Sequence, residues 1–183
     1  MVTIENELLC YSQLNSIAEP KSAVFFGADC FAALPVSEMK QDFCIDMPVY
    51  NRSIPGLLID DSEKYLADCV YKLDPSRIFV NLGDADLRSA SFDLHHFLSA
   101  YEWLLYTLHS HCRGRIYVVS VVSDHPMVKD VNDGLRKLAR SAGCDFIDIT
   151  SAARCEHSQI RIFEQFRSYL HANPISFADA FRL

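Results

Sequence analysis

Reactive side chains gather in turns that follow apolar runs. Ala23-Val24-Phe25-Phe26 leads into Gly27-Ala28-Asp29-Cys30, and Ile78-Phe79-Val80-Asn81-Leu82 leads into Gly83-Asp84-Ala85-Asp86. A third turn, Asn51 to Gly56, follows Val49-Tyr50. A carboxylate such as Asp29 can act as a nucleophile, since carboxylates form covalent intermediates in some hydrolases. Its plainer role is to accept backbone N–H bonds at a helix N-terminus. Cys30 could be a thiolate activated by that same terminus, but the charge of Asp29 beside it raises its pKa. A packed, idle thiol is the other reading.

Two histidine groups, His95-His96 and His109-Ser110-His111-Cys112, raise the question of a metal. Neighbours one or two apart on a helix do not face the same way. No carboxylate or cysteine completes a standard ligand spacing either. No metal and no other cofactor is expected.

The elements that must hold these turns can be read from hydrophobic spacing. Ile4, Leu8, Tyr11 and Ile17 give a short leading helix that ends before Glu19-Pro20, within residues 1–20. The runs at 23–26 and 78–82 are compact, apolar and stopped by glycine, as buried strands are. Val49-Tyr50 is a weaker strand. Asp60 or Asp61 could cap a helix carrying Leu66, Cys69, Val70 and Leu73, ended by Pro75. From Ser91 to His111 the apolar residues fall at helical spacing, with Tyr101, Trp103 and Tyr106 interleaved. Such aromatics pack a core or a subunit interface more often than they line a crevice. Arg115 to Val122 holds a central strand, Val128 to Leu138 a helix and Phe146 to Ile149 a last strand. Helical material runs from about Ile160 to the end.

Strands alternating with helices, and strands apolar throughout, indicate a parallel sheet covered on both faces. About five strands in 183 residues suit one flavodoxin-like three-layer α/β/α sandwich spanning 1–183. In such sheets the functional crevice lies outside the carboxyl ends of the strands. The three turns fall there.

Charge and cysteines narrow the class further. The net charge of -7, with Arg136, Lys137 and Arg140 the nearest thing to a basic group, gives no stripe for nucleic-acid phosphates. No apolar run is long enough to span a bilayer. The seven cysteines form no C-x-x-C pair, and an odd number cannot all be bridged. Free thiols point to the reducing cytoplasm.

In these turns the chain resembles the SGNH/GDSL hydrolases, the family of GDSL-like lipases and esterases. FFGADCF resembles their GDS block, NRSIPG their second block, NLGDADL their G-x-N-D block, and SYLHANPISFADAF their D-x-x-H block with its trailing helix. The four are in the family's order, and together they span residues 23–181. The resemblance implies the three-layer fold and acyl chemistry. A serine attacks an ester carbonyl, a histidine takes its proton, and an aspartate three residues earlier orients the ring. Two backbone N–H groups and an asparagine then hold the oxyanion.

Carried over by residue, the resemblance puts Asp29 at the serine, or Cys30 if the register slides by one. It puts Gly56 at the oxyanion glycine, Ala85 at the asparagine, His171 at the histidine and Ser168 at its aspartate. Most of the reactive side chains are therefore replaced. Losing one oxyanion donor lowers an acyl-transfer rate roughly 100- to 1,000-fold, and losing the nucleophile lowers it on the order of a million-fold.

Three functions follow. The chain is a degenerate member whose crevice binds a small ligand or a protein partner; or an esterase, acyl hydrolase or acyltransferase acting on a small ester through Cys30 or Asp29 with His171; or a structural subunit, a homo-oligomer assembled through its aromatic helices. The replaced elbow at Asp29 favours the first.

Overall fold

The structure is a computed structural model that describes residues 4–171. Five strands form its sheet: β1 Ala23–Gly27, β2 Val49–Asn51, β3 Arg77–Asn81, β4 Arg115–Val119 and β5 Asp145–Ile147. All neighbours run parallel, in the order β2-β1-β3-β4-β5. The helices are α1 Ile4–Asn15, α2 Asp29–Ala32, α3 Val36–Asp42, α4 Leu66–Cys69, α5 Asp84–Leu87, α6 Leu94–His111, α7 Val128–Ser141, α8 Thr150–Ala153 and α9 Ser158–Leu170.

The strands are apolar throughout because both faces of the sheet are covered. Alternate residues serve alternate faces. Val24, Phe26, Ile78, Val80, Ile116 and Val118 pack under α1, α4, α6 and α7. Phe25, Phe79, Tyr117 and Val119 pack under α2, α3, α8 and α9. The α/β/α sandwich is the one expected from the alternation of elements.

Strand order fixes where a site can form. From β1 the chain first steps outward to β2, then crosses back to β3 on the other side. The crevice of such a sheet opens where the order reverses, at the carboxyl ends of β1 and β3. Gly27 and Asn81 pair there. A Cβ on Gly27 would lie 2.3 Å from the Asn81 carbonyl oxygen, so no larger residue fits without moving a strand.

Two expectations need correction. The helix anticipated from Asp60 or Asp61 to Leu73 is three short pieces: a 3₁₀ segment Ile59–Tyr65, α4, and a second 3₁₀ turn Tyr71–Leu73. Asp60 and Asp61 lie inside the first piece and cap nothing. Instead Asp86 Oδ1 accepts the Ile59 N–H at 3.0 Å. Helical material near the C-terminus begins at Ser158 and, among the described residues, ends at Leu170. The helices α2 and α3 carried no clear spacing in the sequence.

Tyr101 is fully buried, whereas Trp103 and Tyr106 on the same helix are exposed. Among the described residues no helix is long and apolar enough to cross a membrane, and no two cysteines are bonded.

Candidate functional site

The crevice is built from the turn after β1, the turn after β2 and the start of α5. Gly27 ends β1, and two residues later the chain enters α2 at Asp29. The side chain of Asp29 reaches across to the second turn, where its Oδ1 accepts the Gly56 N–H at 2.7 Å. Its Oδ2 is paired with the Arg88 guanidinium, at the end of α5. Gly56 holds a left-handed φ of 73°, which aims its N–H without strain only because it lacks a Cβ.

Asp84 makes a second set of contacts. Its Oδ2 accepts the Cys30 N–H at 3.1 Å, and its Oδ1 accepts the Ala85 N–H at 2.9 Å. Burial pushes the Asp84 carboxyl above the usual carboxylate range, against the pull of the Cys30 N–H. Three backbone donors of the crevice, the Gly56, Cys30 and Ala85 N–H groups, are thus satisfied by the chain's own carboxylates. Ala85 is buried and offers the crevice a methyl group and no side-chain donor.

Cys30 sits beside these groups. Burial first, then the charges of Asp84 and Asp29, push its thiol up to about 12. At neutral pH the thiol is therefore protonated. Its side chain packs against the core under α9.

His171 and Ser168 lie elsewhere. The backbone oxygen of His171 accepts a hydrogen bond from Arg77 at 3.2 Å, and Arg77 opens β3. Ser168 lines a cleft with Ser76, Arg77, Arg115 and Tyr117. Both therefore belong to the amino ends of the strands, while Asp29 belongs to the carboxyl ends. α9 runs back along the sheet for 13 residues, roughly 20 Å, and carries its last turn away from the crevice. Placing His171 opposite Asp29 is corrected by this geometry. The rest of SYLHANPISFADAF, from Ala172 on, lies outside the described residues.

The histidine at the crevice end of α9 is His157, which precedes the helix as its N-cap. Close by, the Gln159 side-chain amide donates through its Nε2 to the Ala33 oxygen, just after α2, at 2.9 Å. The signal for His157 was available: a D-x-x-H block precedes its helix, and Arg154-Cys155-Glu156-His157 does so, whereas His171 follows one. The residue three before this histidine is Arg154, which cannot orient the ring as a carboxylate would, and the His157 ring lies 3.9 Å from Glu156. Arg88 and Asp84 were also missed, because neither falls on a position that the family pattern marks.

A recess lies beside α5, and Asp86 lines it. The histidine pairs of the sequence turn to separate partners: His96 to Asp60, His109 to Cys144 and His111 to the Thr107 oxygen. Among the described residues no three His, Cys, Asp or Glu side chains are placed to share a metal ion.

No family model matches this chain, and no curated protein matches it in sequence. Solved structures do. A Streptococcus pneumoniae protein named for platelet activating factor superposes with a TM-score of 0.77 at 16% identity, over 91% of this chain and 92% of that one. A GDSL-like lipase from Bacteroides thetaiotaomicron gives 0.70 at 13% identity, over 88% and 93%. An acetylxylan esterase from Geobacillus stearothermophilus gives 0.66 at 10% identity, over 85% and 96%. Identity this low speaks for architecture and leaves chemistry to the residues. The chain has the fold of the SGNH hydrolases, shared with GDSL-like lipases and acetylxylan esterases.

Proposed function

We propose that this protein is a degenerate SGNH-type chain, one that binds a small ligand or a partner at its crevice and does not hydrolyse esters by the usual route. The observation that carries the reading is the bond from the Gly56 N–H to Asp29 Oδ1, at 2.7 Å. In an ester hydrolase that N–H faces the oxyanion of the tetrahedral intermediate. Here the Asp29 carboxylate occupies it. A substrate carbonyl would have to displace that carboxylate, and the displaced carboxylate is a poor nucleophile toward an ester. Ala85 supplies no third donor, and the Cys30 thiol is held neutral by burial and by two nearby carboxylates.

The esterase reading required His171 beside Asp29 or Cys30, and its position at the other end of α9 counts against it. Purified protein is therefore expected to cleave p-nitrophenyl acetate no faster than an equal concentration of an unrelated acidic protein. The check is initial rates between pH 6 and 9, with Asp29→Asn and Cys30→Ser measured beside the unmodified chain. Saturable turnover that disappears in either variant would defeat the proposal.

A further inference from the structure

The recess beside α5 is lined by Leu58, Ile59, Phe92 and Phe97 on its apolar side and by Asp60, Asp86, Asp93 and His96 on its polar side. Its volume is about 160 Å³, close to that of cavities that admit a single benzene. Three of the four ionisable groups are already paired. Asp60 pairs with His96 Nε2 at 2.9 Å, and Asp93 Oδ1 accepts the His96 N–H at 2.6 Å as the cap of α6. Asp86 is different. It is 8% exposed, its Oδ1 takes the Ile59 N–H, and its Oδ2 is buried with no hydrogen-bond partner.

A buried carboxylate oxygen left without a donor is uncommon in folded proteins and calls for an explanation, such as an absent ligand. The donor set argues for what would supply it. A metal ion needs several ligating side chains, and among the described residues no such group converges. A primary ammonium needs one strong acceptor and tolerates apolar walls along its hydrocarbon part. We propose that this recess binds a small primary ammonium, its N–H donated to Asp86 Oδ2 and its alkyl part against Phe92 and Phe97. The inference rests on the reading of this end of the sheet as a binding surface, and it gives that surface a ligand class.

The charged groups around Asp86 set the pH behaviour. Asp60 faces it from the 3₁₀ segment, Asp84 from α5, and Asp93 and His96 from the start of α6. Burial pushes the Asp86 carboxyl up to about 6, against the pull of the Ile59 N–H. His96 is raised from its ordinary value by its bond to Asp60. As pH falls below about 6, Asp86 takes a proton, which removes the negative charge that would hold a cation; His96, raised by Asp60, gains its own charge at higher pH and adds nothing to this step.

The test titrates n-butylammonium chloride into the full chain at pH 7.5, followed by ¹H–¹⁵N chemical shifts, with 1-butanol and calcium chloride as separate titrants. Saturating shifts at Ile59, Asp86 and Phe97 are expected with the ammonium, tenfold weaker at pH 5 and at least tenfold weaker in Asp86→Asn. The asparagine amide oxygen of that variant can still accept the Ile59 N–H, so the variant should fold. Ser91→Trp, at the exposed rim of the recess, should block binding independently. Equal binding of 1-butanol, unchanged binding in Asp86→Asn, or saturation by calcium with no response to the ammonium would overturn the inference. Ester turnover measured on the same samples keeps the two claims apart: hydrolysis would defeat the proposed function and leave ammonium binding standing, and absent ammonium binding would do the reverse.

Discussion

Asp29 and Asp86 show how the same side chain takes opposite roles through its surroundings. Asp29 has a donor for each oxygen and is half-buried; Asp86 has a donor for one oxygen and is almost wholly buried. The second arrangement works against stability near neutral pH. A carboxyl raised to about 6 in the folded chain, against about 4 unfolded, holds a proton more tightly when folded. Folding is then favoured while Asp86 is protonated, and stability declines as pH rises from about 4 through about 6. Asp86→Asn removes the ionisation and keeps an acceptor for the Ile59 N–H. The variant should therefore be more stable than the unmodified chain at pH 7.5, by on the order of 2 kcal/mol, with the difference shrinking toward pH 4. Urea denaturation at pH 4.5 and 7.5 checks this. A variant less stable at both pH values would mean that Asp86 ionises without penalty.

At the scale of elements, the strands and long helices were readable and the crevice was only half so. The runs at 23–26 and 78–82 are apolar at every position because helices cover both faces, and α6 announces itself by its spacing. Turns are set by contacts distant in sequence, and those leave no period. Asp86 bonding to Ile59 starts a 3₁₀ segment where Asp60 or Asp61 looked like a cap. His171 misled for a related reason: a block pattern fixes neighbours in sequence and is silent about which end of a helix it occupies. Gly27, by contrast, was legible as a strand stop, and the structure adds why it cannot be larger. Its Cβ would press on a carbonyl oxygen of the neighbouring strand, which is backbone and cannot turn aside. Gly27→Ala should separate β1 from β3 at their carboxyl ends and weaken the Asp29–Gly56 contact that this pairing positions. A loss of about 2–4 kcal/mol is expected, in the range of overpacking with a backbone shift. Thermal denaturation and the amide shift of Gly56 report it, and an unperturbed Gly56 signal would contradict the account.

Across the whole molecule, the face of the sheet under α9 is tied together by rings. Phe25 and Phe79 stack at 4.8 Å across β1 and β3, and Phe79 stacks on Tyr117 of β4 at 4.7 Å. Phe166 of α9 meets Phe25 and Phe79 edge-on, at 5.1 Å and 5.2 Å. One side chain of α9, the last helix among the described residues, thereby touches the central strands on either side of the crevice. α1, on the opposite face, joins the core through the partly buried Leu8 and Tyr11. Phe166→Ala leaves a cavity against two central strands and should lower stability by about 3–5 kcal/mol. If α9 is part of the same cooperative unit as the sheet, amides of Val24 to Phe26 and Ile78 to Val80 exchange only through global opening. Their protection should then fall together with that of α9, by the same free energy, while α1 amides that exchange through local opening change little. Native-state hydrogen exchange distinguishes this from the alternative. Loss of protection confined to α9, with the strands as slow as before, would mean that the helix opens by itself and that the crevice end of the sheet does not depend on it.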